Sequence, residues 1–154
     1  YKGIGKTKAI TLMAAVELGR RMQWIREEEH KKITETKDVY TLYRGYFYGV
    51  EQEKLMAIFL TSKNEVIEEK VIFMGTANQS IVHPRDIFKE AILVNAVKFI
   101  IVHNHPSGNV FPSLEDRKFT KRLQEASQFL SIPLLDHLII GMNSYYSFLE
   151  RGDL

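Results

Sequence analysis

The sequence contains no cysteine. Disulfides and thiolate-bound metals are therefore excluded, and any metal must be held by His, Asp, Glu and water. Long apolar runs are missing too. No stretch approaches the ~18 residues that a membrane-crossing helix needs, and the opening YKGIGKTKAI lacks the apolar core of a secretory signal. We expect no membrane partner and a cytoplasmic setting. Strong charge of one sign is also absent: 21 basic residues against 19 acidic leave +2. That balance neither demands a nucleic-acid partner nor excludes one. The chain opens on Tyr1 rather than Met, and it reads as cut from something longer. What remains is ordinary globular material. A hydrophobic content of 45% over 154 residues suffices for one real core, with a small appendage at most.

Residues 6–29 carry Ile10, Met13, Ala14, Val16, Leu18 and Met22 near helical spacing, after Gly5. Their end, REEEHKK, is a charged and solvated stretch. Residues 31–37 read as a linker, with a domain from 38 to 154. TLYRGYFYGV predicts a helix or turn near 38–46. EKLMAIFLTSKNEVIEEKVIFMG predicts two strands around a turn at Ser62–Asn64. VHPRDIFKEAILVNAVK predicts a helix with Pro84 at its first position and Ile87, Ala91, Val94 and Val97 on its apolar face. FIIVHNH is a buried strand ending at two histidines. PSLEDRKFTKRLQEASQFL is a second helix with Phe119, Leu123, Ala126 and Leu130 inward. PLLDHLIIG and YYSFLE are further strands. Alternating strands and helices argue for an α+β domain, a mixed sheet flanked by helices.

The chemistry sits in HNHPSGNVFPSLED, His103 to Asp116. Strand side chains alternate faces, so His103 and His105 share one face and Asn104 takes the other. Two imidazoles so placed can share a cation, and Zn²⁺ suits His nitrogen with Asp oxygen. The turn at Pro106-Ser107-Gly108 can deliver Asp116, on the first turn of the next helix, as a third ligand. A fourth position is then open to water, the plan of a catalytic rather than a structural zinc site. A plainer reading also holds: Ser113 and Asp116 form S-x-x-D, an ordinary helix start with Ser113 as cap. The two readings are compatible. Ser107 and Asn104 can tie the loop down, and Gly108 suits a positive φ.

These residues resemble the JAMM (MPN) metalloprotease signature, H-x-H followed by S-x-x-D. HNHPSG, PS-x-x-D, Gly75-Thr76, HPRDIFKEAI, DHLIIG and YYSFLERG together look like the bacterial RadC family. The resemblance covers roughly residues 40–152 and implies a cytidine-deaminase-like architecture. Residues 1–30 resemble the second half of the helix-hairpin-helix region that precedes the domain in RadC proteins. The resemblance implies zinc bound by His103, His105 and Asp116. It implies an oxyanion contact from the Ser113 hydroxyl, and an upstream Glu that deprotonates water. Counting back from IFL selects Glu53 over Glu51 for that Glu, although both can also be read as solvated charges. Leu55 and Thr61 stand where the family often has an aromatic residue and Asp.

The expected activity is zinc-dependent cleavage of a peptide or isopeptide bond in a peptide or protein substrate. Two alternatives stay open: a DNA-repair-associated accessory module, and a metal-bearing scaffold without turnover. The glycine pattern Gly3–Gly5 with Lys6 and Lys8 could approach DNA phosphate, but the complete hairpin is missing. His137, beside Asp136, reads either as a satisfied buried histidine or as a residue that orients a ligand. His83 reads as a neighbour of a helix cap.

Overall fold

The computed structural model describes residues 5–25, 31–75 and 82–154. The chain divides into two units, Tyr1–Lys31 and Lys32–Leu154. The first contains α1 (Lys6–Ile25). Along α1, Arg20 pairs with Glu17 at 2.8 Å and the Thr11 hydroxyl donates to the Thr7 carbonyl at 3.0 Å. The expected continuation of this helix to 29, Gly3, Thr76 and the side chain of Met22 lie outside the described residues.

The second unit is an α+β fold. It comprises α2 (Thr36–Phe47), β1 (Glu53–Leu60), β2 (Val66–Gly75), α3 (Pro84–Leu93), β3 (Lys98–Asn104), α4 (Leu114–Leu130), β4 (Leu134–Ile140) and β5 (Tyr145–Ser147). The strands form one mixed sheet in the order β2-β1-β3-β4-β5. Among the described strands only β3 and β4 pair in parallel, and α4 supplies the crossover that parallel neighbours require. The hairpin β1–β2 closes over Thr61–Glu65, where Asn64 takes the left-handed conformation at φ 64°. Asn tolerates that region better than most residues.

Unbroken apolar runs mark strands covered on both faces, and β1 and β3 are of this kind. Leu55, Ala57, Phe59, Phe99 and Ile101 face α3 and α4, joined by Ile87, Phe88, Ala91, Phe119 and Leu123. Met56, Ile58, Leu60, Ile100 and Val102 face α2 through Val39, Tyr43 and Phe47. Helices therefore lie on both sides of the sheet. Residues 32–35, read from sequence as linker, belong to this unit's packing: Ile33 is buried and the backbone of Lys32 pairs with that of Glu65 as an isolated antiparallel β-bridge. His83 is itself the N-cap of α3, with Pro84 in the first turn and Asp86 completing a capping box.

Two expected core positions are corrected. Val97 is 48% exposed, in the turn after α3, and Leu130 is 41% exposed at the last residue of α4. Helical spacing carried both one step past the end of the packed face. The strand expected over YYSFLE pairs only at Tyr145–Ser147 before the chain turns.

This packing has a direct test. Ile101→Ala empties a wholly buried position and is expected to cost about 2–5 kcal/mol. Leu130→Ala is expected to stay within about 0.5 kcal/mol. Denaturant titration measures both, and equal effects would contradict the placement of the core.

Candidate metal centre

The face of β3 that begins with Phe99 and Ile101 ends at His103, which is 1% exposed. His105 follows just beyond the strand, and the two Nε2 atoms lie 3.0 Å apart. Asn104 points the other way. Its Oδ1 accepts from the Lys54 N–H at 2.9 Å and its Nδ2 donates to the Gln52 carbonyl at 3.1 Å, tying the end of β3 to the entry of β1. The loop then folds on itself. The Gly108 N–H donates to the His105 carbonyl at 2.9 Å with φ +75° at the glycine, and the Ser107 hydroxyl accepts from the Asn109 N–H at 3.3 Å. His105 Nδ1 lies 2.7 Å from the Asn109 carbonyl. A carbonyl only accepts, so Nδ1 carries the hydrogen and the His105 Nε2 faces inward.

Beyond the loop, α4 begins with Ser113 as N-cap. The Ser113 hydroxyl accepts from the Asp116 N–H at 3.1 Å and donates to Asp116 Oδ2 at 2.6 Å, and the Ser113 N–H donates to the same oxygen at 2.7 Å. Capping turns the Asp116 carboxylate toward the histidines. Oδ1 lies 3.3 Å from His103 Nε2 and Oδ2 lies 3.3 Å from His105 Nε2. His103, His105 and Asp116 thus offer three donor atoms within 4.8 Å of one another, able to hold a metal ion. The cap and the metal-facing carboxylate are one residue in two roles.

Residues 33–153 match the family model of the RadC-like JAB domain. The chain belongs to this family. It is 44% identical over 151 residues to a UPF0758 protein of Enterococcus faecalis, covering 98% of this chain and 65% of that protein. It is 45% identical to the UPF0758 protein YsxA of Bacillus subtilis, covering 99% and 66%. With a UPF0758 protein of Staphylococcus carnosus the identity is 50%, over 98% and 67%. The chain spans about two thirds of the length of the curated relatives it matches.

Other groups surround the centre of this RadC-like domain. Glu53 opens β1, and Leu55 registers opposite His103. Continuing that antiparallel register by two residues sets Glu53 level with His105, on the same face. The Glu53 charge helps to raise the His105 pKa. Glu51 is exposed and lines the cleft that opens beside His105. Beneath His103 lies His137 of β4, wholly buried, with its Nε2 2.7 Å from His103 Nδ1. His137 Nδ1 lies 2.6 Å from the Thr120 hydroxyl. Sequence reasoning passed over Thr120. Its spacing of four from Asp116 was the available signal, since that puts it one helical turn below.

The charges within the triangle are coupled. The hydrogen bond to Asp116 raises the His105 pKa against the opposing effect of burial. Burial alone would raise the Asp116 carboxyl, but the neighbouring imidazoles of His103 and His105 prevail and hold it far below the ordinary carboxylate range. A depressed carboxyl stabilises the fold above its unfolded value of 3.8, and this is lost as pH falls through the folded value. A raised imidazole stabilises below 6.5, and this is lost as pH rises through the folded value. In chelator-treated protein the coupling should therefore be strongest between those two values. Urea midpoints measured against pH should show that window, and Asp116→Asn should flatten it. Identical profiles for the two proteins would mean that the coupling contributes nothing.

Proposed function

We propose that this domain is a zinc-dependent hydrolase of the JAMM type, cleaving a peptide or isopeptide bond. The observation that carries the reading is the donor cluster: the His103 and His105 Nε2 atoms lie 3.0 Å apart, each is 3.3 Å from one oxygen of the Asp116 carboxylate, and one donor atom from each residue falls within 4.8 Å of the others. A tetrahedral cation with bonds of about 2.0–2.1 Å separates its ligand atoms by about 3.3–3.4 Å. A cluster of this size would need only a small adjustment of the side chains to close around such an ion. Two imidazoles with one carboxylate favour zinc over the oxygen-seeking magnesium and calcium.

A bound zinc supplies Lewis acidity and lowers the pKa of water toward ~7. Residues of this chain do the rest. His103, His105 and Asp116 hold the ion. Glu53, level with His105, takes a proton from water and returns it to the leaving amine. The Ser113 hydroxyl donates to Asp116 at 2.6 Å. To serve a tetrahedral oxyanion it turns about its Cα–Cβ bond, and its N–H keeps the Asp116 carboxylate in place. A cleft of about 300 Å³ opens beside His105, lined by Phe47, Tyr48, Val50, Pro106 and Met142 among others. Its walls mix apolar side chains with Glu51, Asn104 and His105, which suits a polypeptide with its side chains and its backbone amides.

The experiment pairs metal content with turnover on two probes, an unfolded polypeptide and an ε-linked isopeptide. His103→Ala and Asp116→Ala are expected to lose the stoichiometric zinc. Glu53→Gln is expected to keep the zinc and lose about 10²–10⁴-fold in rate. Turnover by Glu53→Gln at the wild-type rate would remove Glu53 from its role. Zinc-loaded wild type inert toward both probes would count against peptide-bond hydrolysis.

A further inference from the structure

The side chains under His103 form a chain of hydrogen bonds with one direction. The Thr120 hydroxyl has a single hydrogen and two neighbours: the Asp116 carbonyl at 2.7 Å and His137 Nδ1 at 2.6 Å. The carbonyl can only accept, so the hydroxyl hydrogen goes to it. The hydroxyl must then accept from His137, which puts the His137 hydrogen on Nδ1. His137 Nε2, in a neutral ring, is left as an acceptor 2.7 Å from His103 Nδ1. His103 therefore carries its hydrogen on Nδ1, and its Nε2 presents a bare lone pair to Asp116 and His105. Each step follows from which atoms hold hydrogens.

We propose that Thr120 and His137 act as a positioning relay that fixes His103 as the Nδ1–H tautomer and so aims its Nε2 lone pair at the metal position. The packing allows little alternative. His137 and Thr120 are 0% and 2% exposed. The His137 ring stacks on Phe148 with centroids 4.6 Å apart and planes within 6°, and Phe119 meets it edge-on. A ring so clamped cannot flip to exchange its nitrogens. The relay starts from the backbone carbonyl of Asp116, so one residue supplies a carboxylate to the site and also the reference point for the tautomer of His103. His105 reaches the same tautomer by a separate route, through the Asn109 carbonyl. Both imidazoles thus present Nε2. Partners that fix a ligand histidine in this way commonly contribute ten- to hundredfold to metal affinity, on the order of magnitude seen elsewhere.

The inference rests on the reading of His103 as a metal ligand, but its first readout needs neither metal nor substrate. ¹⁵N NMR of histidine-labelled, chelator-treated wild-type protein reports which ring nitrogen carries the hydrogen. The expected spectrum shows His103 and His137 each protonated on Nδ1 with a bare Nε2. A hydrogen on Nε2 of His103 would overturn the relay, even if zinc binds. The second readout is zinc affinity by chelator competition. Thr120→Val, nearly the same shape, is expected to bind zinc about ten- to hundredfold more weakly. Thr120→Ser, which restores the hydroxyl, is expected to recover most of that loss. Wild-type affinity in a folded Thr120→Val would overturn the proposal. Should that variant fail to fold, the wild-type spectrum decides. The expected tautomers together with no zinc binding at all would leave the relay standing and remove the metal reading instead.

Discussion

One carboxylate holds the site together. Asp116 Oδ2 receives the Ser113 N–H and hydroxyl, which starts α4, while the same carboxylate faces both histidine Nε2 atoms. A largely buried carboxylate is costly unless donors surround it. Here the groups around it come from two places distant in the fold, the first turn of a helix and the end of a strand. Satisfying one carboxylate therefore locks the helix start against the strand end. The loop between them, residues 105–113, is anchored at both ends and turns through Gly108.

The sheet explains why this happens at one edge of the sandwich. β1 runs antiparallel to β3, so the beginning of the first strand lies beside the end of the other. β4 runs parallel to β3, which places His137 two residues below the level of His103, across from Ile101. The result is a polar cluster at the top of an apolar layer. Below it the same face is Phe99, Ile101, Ala57 and Phe59, all at 0% exposure. Such a floor keeps the surrounding dielectric low, which strengthens every charge interaction above it. On the opposite face, Asp136 is also buried but has four donors of its own: the Thr36 and Ser147 hydroxyls and the N–H groups of His137 and Leu149. Burial nonetheless raises its pKa. It anchors β4 rather than joining the metal triangle.

The sequence made some of this legible and hid the rest for identifiable reasons. His103 and His105 declared themselves because strand alternation is local, and S-x-x-D declared a helix start for the same reason. The buried strands could be read from their apolar runs. Glu53 could be picked only by counting, because its relation to His105 depends on the pairing of β1 with β3. His137 was ambiguous because its partner is set by the β3–β4 register, a contact between residues 34 apart in sequence. Thr120 drew no notice because a threonine on the inner face of a helix usually bonds only its own backbone. It does so here and also lies 2.6 Å from His137 Nδ1. Val97 and Leu130 were misplaced because a periodic pattern does not announce where the neighbouring layer ends.

The most direct measurement is anomalous diffraction at the zinc edge from crystals of this domain grown with zinc. One strong peak should stand about 2.0–2.2 Å from His103 Nε2, His105 Nε2 and an Asp116 oxygen, the bond lengths that such ligands give. A map with no peak there, or a peak bound elsewhere while the two rings and the carboxylate turn apart, would contradict the shared metal centre.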